Sequence, residues 1–433
     1  MVSIKKIVES SLFKVTSLNS VSVVIKLLIG ILSSKVIAVF LGAPGMALVG
    51  NMRNFFSSVE TVTTLGFQNG IVKYTAENKD DETHLKKVIS TIFITLLGSS
   101  VLFALALYIF SKFWSDQVFG AHNNYGFVIS ILAISIPFYV MNVFLTSILN
   151  GFGNFHKVIY ITIFGNIIGL LVSIVLIWKL NIAGALISIA VTPALLLIVT
   201  YLYFRSLMNV REYIHFRYFN FDVIRNLSSF SLMAFVSGFF GPLVYLTIRN
   251  NVIEKLGEEQ AGYWSAMERI SSNYLLFIST LLTVYFLPKL ILATTNQQTK
   301  NVFYSYYKKI LPLFIFAIVV IYILKGFIVR FLFTKEFLPV EELFQWQLIG
   351  DTFKVASLIL GFEFFAKKMT LAFIVTELIS LGILYASSMF FIDLYGIEGI
   401  VMAHAFTHAF YLLMLVIYFK NKLKPAGILS KQN

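Results

Sequence analysis

Five stretches of the chain, Val88 to Phe110, Phe127 to Leu149, Val158 to Trp178, Leu180 to Phe204 and Asn226 to Ile248, contain no charged residue. A helix needs about 20 residues, at ~1.5 Å each, to cross the hydrocarbon of a bilayer, and each of these runs is long enough. No water-soluble fold of this size can bury so many of them. Seven more segments are as long but carry one to three charges each: 18–40, 46–70, 262–287, 310–329, 343–365, 369–391 and 397–419. The runs are continuous rather than alternating, which excludes a β-barrel. An all-α integral membrane protein with 12 transmembrane helices is therefore expected. The composition agrees, with 58% hydrophobic residues, 13% charged residues and a mean hydropathy of +0.83.

The formal net charge of +13 raises the question of a polyanion partner. On a twelve-span map with a cytoplasmic N-terminus, the basic residues sort by side. The N-terminal arm, the loops after even-numbered spans and the C-terminal tail hold 22 of the 34 Lys and Arg residues. Loops after odd-numbered spans hold 7, Arg249 among them, and 5 lie within spans. This is the positive-inside distribution, with both termini cytoplasmic, and it needs no nucleic acid. The basic N-terminus leads into a segment holding Lys26 and Lys35 with no small-residue cleavage site, so no removable signal peptide is expected. There is no cysteine, which excludes disulfides, thiolate nucleophiles and zinc–cysteine sites.

Loops are short, the longest running from about Arg205 to Arg225, which leaves little room for the acceptor site of a membrane glycan polymerase or ligase. No catalytic residue is expected. A weak repeat has a steady offset of 215 residues: Asn181-Ile182-Ala183-Gly184 returns as Gly396-Ile397-Glu398-Gly399, and Leu41-Gly42 as Leu256-Gly257. Two pseudo-symmetric six-helix bundles follow, 1–210 and 211–433, as parallel repeats.

The charges inside the spans carry the functional reading. Arg53 and Glu60 are seven residues apart and share a helix face with Ser57. Asn51 is one further polar candidate on that span. The matching span of the second half offers Glu268, Arg269 and Asn273. Lys26, Asp351, Lys354 and Glu377 complete the set. A basic residue at mid-membrane costs roughly 2.5–3.5 kcal/mol on insertion scales, so these groups must face one another or water. A central hydrated cavity between the halves is the expectation. Its cationic members would be Lys26, Arg53, Arg269 and Lys354. Its acids, Glu60, Glu268, Asp351 and Glu377, would neutralise them or carry a coupling proton or ion, and Asn51, Ser57 and Asn273 would be its neutral polar lining.

Blander readings stand beside these. Asp351 and Lys354, one turn apart, can form a simple ion pair. Glu363 reads as interfacial. His404 and His408, at i and i+4, lack a third ligand for a metal, so buried hydrogen bonding is the reading and no metal is expected. No GxxxxGK[ST] loop is present to bind ATP phosphates.

Asn51 to Phe56 (NMRNFF) followed by 66–74 (GFQNGIVKY), 343–355 (LFQWQLIGDTFKV) and Phe286-Leu287-Pro288 resemble the O-antigen translocases. These are lipid-linked oligosaccharide flippases of the multidrug/oligosaccharidyl-lipid/polysaccharide (MOP) exporter superfamily. The resemblance covers essentially the whole chain and is strongest to the lipid III branch. It implies a MATE-like fold in a bacterial inner membrane and a substrate that is an undecaprenyl-diphosphate-linked glycan. It also implies no cofactor beyond an H+ or Na+ coupling ion, a monomer, and the downstream glycan polymerase and chain-length regulator as partners. Rival readings are a multidrug or cation antiporter of the same superfamily and a peptidoglycan-precursor flippase, whose relatives have two further helices.

Overall fold

A computed structural model describes residues 11–207, 209 and 212–423, and every regular element in it is helical. In chain order the helices are α1 (Ser11–Thr64), α2 (Gln68–Asn78), α3 (Glu82–Ile109), α4 (Ser111–Phe119), α5 (Gly126–Gly151), α6 (Phe155–Phe204), α7 (Phe221–Leu256) and α8 (Glu258–Leu281). After a π-helical turn, Leu282–Phe286, follow α9 (Leu287–Leu292), α10 (Asn296–Ile323), α11 (Lys325–Leu332), α12 (Val340–Ala366), α13 (Thr370–Tyr395), α14 (Glu398–Tyr418) and α15 (Lys420–Leu423). They form two compact units, Met1–Asn250 and Asn251–Asn433.

Two helices are too long for one crossing. The 50 residues of α6 would make a rod of roughly 75 Å, more than twice the hydrocarbon thickness. The backbone breaks instead at Asn181 (φ 51°, ψ −128°), and α1 breaks at Gly42 (φ 65°, ψ −165°). Pro44 then opens the second arm of α1, where its missing N–H costs no hydrogen bond.

These breaks bear on the repeat. Residue 181 plus 215 is Gly396, which has φ 58° and ψ −135°; Gly42 maps to Gly257, with φ 92° and ψ 163°. The same offset governs close packing. A Cβ on Gly184 would lie 1.9 Å from the carbonyl oxygen of Leu176, and one on Gly399 would lie 2.1 Å from that of Phe391. In each unit a helix turns back on the one before it, and only glycine lets the two backbones meet.

Nine helices among the described residues are long and apolar enough to cross a membrane, α1 and α6 among them. Twelve crossings require each of those two to count twice and α12, which carries Asp351, Lys354 and Glu363, to span as well. The outward surface is apolar: Trp178 is 72% exposed and Leu371 77%. Such surface is stable only against lipid. The chain is a multi-pass membrane protein.

In the first unit the second arm of α1 lies along α7. Ser58 Oγ donates to the carbonyl of Phe239 (3.0 Å), a Cβ at Gly70 would strike Leu227 at 2.5 Å, and one at Gly238 would strike Thr61 at 2.6 Å. Small residues let these helices approach closely, as is usual in lipid. The long connection before α7 is tied to α3, where Ser90 Oγ donates to Tyr213 O and accepts from His215 N, and Thr91 Oγ1 accepts from Asn220 N. In the second unit α12 is central. Tyr306 and Tyr307 of α10 donate to its carbonyls at Val355 and Ala356, both at 2.8 Å. A Cβ on Gly350 would meet the α14 backbone at Ala405, 3.0 Å away.

Candidate functional site

Arg53 sits eleven residues past the Gly42 break, on the second arm of α1. Its side chain is exposed, yet it opens into a groove of about 420 Å³ inside the first unit. The groove is bounded by both arms of α1, by α5 and by both arms of α6. Asn142 and Thr146, one turn apart on α5, line it, as do Asn166, Ser188 and Thr192 on α6. Among the described residues Arg53 is the only charged one in the lining.

Two features of the groove leave polar groups unused. Among the described residues Arg53 makes no hydrogen bond and no ion pair. Thr192 Oγ1, closed off from solvent, also has no partner among them. Asn142 is held in place by Thr200, whose hydroxyl donates to its Oδ1 at 2.5 Å, and its amide nitrogen is left for other use. A guanidinium with unused donors, ringed by hydroxyls and amides, suits phosphate oxygens and neutral sugar hydroxyls.

The remaining candidates distribute unevenly. Lys26 is exposed on the first arm of α1 and takes no part in the groove. Glu60 is not paired with Arg53: it accepts a hydrogen bond from Gln68 Nε2 (3.3 Å), and the Tyr139 hydroxyl lies against it. Ser57 is half-buried and outside the groove lining.

Asn51, expected to line a cavity, has no exposed surface. Its Nδ2 donates to Val118 O at 2.8 Å and to Asn250 Oδ1 at 2.7 Å, and its Oδ1 accepts from Arg249 Nη1 at 3.2 Å. Asn250 Nδ2 in turn reaches Gln117 O at 2.6 Å. Asn51 therefore joins α1, α4 and α7. Arg249, counted from sequence among loop residues, is helical and only 1% exposed. A buried guanidinium needs acceptors, and Asn51 supplies one.

In the second unit Glu268, Arg269 and Asn273 are half-buried on α8, and the first two are engaged in polar or electrostatic contacts. Asp351 is fully buried. Its carboxylate accepts from Ser271 Oγ (2.6 Å), from the Tyr274 hydroxyl, from Gln347 Nε2 (3.3 Å) and from His404 Nε2 (3.0 Å). His404 thus takes the place that the sequence reading allowed to Lys354. Lys354 and Glu377 are half-buried and make no hydrogen bond or ion pair among the described residues. Glu363 is fully buried, three residues before the end of α12 at Ala366.

The groove residues Asn142, Thr146, Asn166, Ser188 and Thr192 were not singled out from sequence. Asn142 and Thr146 at i and i+4 in a span without charges were the available signal.

A broken-helix membrane bundle of this kind is a fold shared with solved MATE family structures. An inward-facing multidrug resistance MATE family transporter of the MOP superfamily is similar with a TM-score of 0.75 at 14% identity, covering 92% of this chain and 94% of that one. An outward-facing conformation is similar with a TM-score of 0.63, also at 14% identity, covering 93% and 95%. By sequence the chain belongs to the polysaccharide biosynthesis protein family, which matches residues 12–290. Lipid III flippases of Escherichia coli (strain K12) and Shigella flexneri are each 27% identical to it over 407 residues, covering 93% of this chain and 96% of theirs.

Proposed function

We propose that this protein is a flippase that carries an undecaprenyl-diphosphate-linked oligosaccharide from the cytoplasmic to the outer leaflet of a bacterial inner membrane. The cargo has a polar head that cannot enter hydrocarbon and a tail that stays in it. Arg53 binds the diphosphate, and the hydroxyl- and amide-lined groove beside it receives the adjoining sugar. Transport follows alternating access across twelve crossings with both termini cytoplasmic, driven by H+ or Na+ exchange. The bundles 1–210 and 211–433 serve as the repeating bodies, and Lys26, Arg269 and Lys354 are further cationic stations for the head group. The product is handed to a downstream glycan polymerase.

The observation that carries this reading is the exposed, unpaired Arg53 guanidinium in a groove with no acidic lining residue. A pump for cationic drugs would need an acid in that position. The flippase relatives and the family membership support the same cargo.

The test is reconstitution of the purified chain in vesicles holding a lipid-linked oligosaccharide in the outer leaflet only. Protection of the glycan from an impermeant lectin should grow with time, and vesicles without the protein should show no growth. Equal rates with and without protein, or efflux of cationic dyes in place of glycan movement, would overturn the reading.

A further inference from the structure

We propose that the groove between α10 and α12, inside the second unit, is a binding site for one diacyl glycerophospholipid, with the lipid's phosphodiester group at Tyr322, Lys325 and Gln345 and one acyl chain lying along α12. The inference stands apart from the flippase reading and uses none of the residues assigned to the cargo.

The two helices are closed at one end and parted at the other. Tyr306 and Tyr307 donate to Val355 O and Ala356 O, which holds the pair together there. Toward the other end of α10, at Ile323, a groove of about 380 Å³ lies between them. Its apolar walls are Ile318 and Val319 of α10 and Leu348 and Ile349 of α12. Val319 is 51% exposed and Ile349 37%, so the groove opens onto the outward-facing apolar surface. Left empty, it forfeits dispersion contacts along both helices. A hydrocarbon chain restores them.

The polar groups of the groove sort by depth. At its far end the Thr352 hydroxyl donates to Leu348 O at 2.8 Å and is satisfied by its own helix. At the mouth, where α10 ends and α12 begins, the polar groups are left unused. Gln345 is exposed, and neither its amide nor the Tyr322 hydroxyl makes a hydrogen bond among the described residues. The Lys325 ammonium lies 4.9 Å from the centre of the Tyr322 ring and spends one N–H on Glu341 O at 3.2 Å, leaving the others. An amide, a phenol and an ammonium with donors to spare match the ester and phosphodiester oxygens of a lipid head. Tyrosine and lysine at the ends of spans are placed at headgroup depth.

Length and charge select the occupant. Gln345 and Thr352 are seven residues apart, roughly 10 Å along a helix, which takes the upper part of one acyl chain and not a polyprenyl tail. Glu341 and Glu342 stand in the first turn of α12, beside that single ammonium. A Cβ on Gly326 would lie 3.1 Å from Glu341 Oε1, so this carboxylate rests against the first turn of α11, where Lys325 also sits. One cation among acids accepts a phosphodiester with a single negative charge and repels a diphosphate. The groove at Arg53 differs in having no acid in its lining among the described residues. A lipid chain between α10 and α12 completes the packing of α12, which also carries Asp351 and Gly350 against its other neighbours.

The test uses the purified full chain in detergent with phosphatidylethanolamine that carries a diazirine in one acyl chain, followed by irradiation and peptide mapping. Labelling across 318–322 and 345–352 should exceed that at Leu313 and Phe316, which are 65% and 67% exposed on the same α10, by at least about fivefold. Gln345→Leu combined with Tyr322→Phe should remove that excess. Both side chains are exposed and make no hydrogen bond, so this variant should keep its monodisperse peak in detergent chromatography. Ile349→Trp, which fills the groove, should give the same loss. Labelling spread evenly over the exposed faces would mean surrounding lipid only and would overturn the proposal. Competition by soluble glycerophosphate would make the groove a simple phosphate site, and competition by undecaprenyl phosphate without competition by unlabelled phosphatidylethanolamine would make it a cargo site; either result overturns the assignment. No glycan movement enters the measurement, so its failure leaves the flippase reading standing, and the failure of glycan transport would leave this result standing.

Discussion

The two units share a backbone plan and differ in what they do with polar groups. Both break their helices at positions 215 residues apart, with matching positive φ at Gly42 and Gly257 and at Asn181 and Gly396. In the first unit the in-span cation Arg53 is left open in a polar groove. In the second the in-span acid Asp351 is sealed and satisfied by Ser271, Tyr274, Gln347 and His404. A repeat thus preserves the turns that make a bundle close, while the polar interior is free to diverge. An open cation leaves its donors unused; a sealed acid ties together the helices that bond to it.

The shared part of the comparison is exposed to the most damaging change. Gly184→Val and Gly399→Val each drive a side chain into a backbone carbonyl, at 1.9 and 2.1 Å. Each should cost more than about 4 kcal/mol and remove the monodisperse peak in detergent chromatography, whereas Gly98→Val and Gly382→Val, with nothing within 4 Å, should keep it. If only one of the two tight glycines is essential, the units are less alike than their dihedral angles indicate.

Asp351→Ala tests the sealed side. It strands four buried donors, and the loss should be about 3–5 kcal/mol, read as a fall in unfolding temperature; Asp351→Asn, which keeps an acceptor, should lose less. Asn51→Ala removes the links to Arg249, Val118 and Asn250 and should cost about 1–3 kcal/mol by the same measurement.

The smallest effect concerns Asp81, which caps α3. It accepts from the backbone N–H and the ring of His84, and these hydrogen bonds hold its carboxyl below the usual range. Because the folded pKa is depressed, the contribution is present above the unfolded value, ~3.9, and is lost as pH falls through the folded one. Asp81→Ala should lower the unfolding temperature slightly at neutral pH and not at all at the acid end.

Much of this architecture was legible in the sequence for a simple reason. A span must be apolar for some twenty residues, and a helix reversal must be glycine or a residue that tolerates positive φ, so both leave local marks such as 180–204 and Asn181-Ile182-Ala183-Gly184. Arg53 stood out because an arginine in such a span is costly to expose to lipid. What stayed hidden depends on distant partners. Asn51 looked like a lining residue because its partners Val118, Arg249 and Asn250 lie far along the chain, and polarity at one position does not say which way it points. Arg249 looked like a loop residue because α7 runs past the apolar stretch that betrayed it. The groove itself is built of Asn, Ser and Thr, which spans tolerate anywhere because they can bond their own helix backbone, as Asn166 does to Thr162 O.

The central claim is that Arg53 is kept open for an anionic head group and does not hold the fold together. Its most direct test is the growth of lectin protection for a lipid-linked oligosaccharide in vesicles carrying Arg53→Ala, with the unfolding temperature measured on the same preparation. The account predicts that glycan movement falls to the protein-free rate while the unfolding temperature stays within about 1 °C of the unaltered chain, as for a surface change. Full glycan movement by Arg53→Ala, or a collapse of its stability, would contradict it.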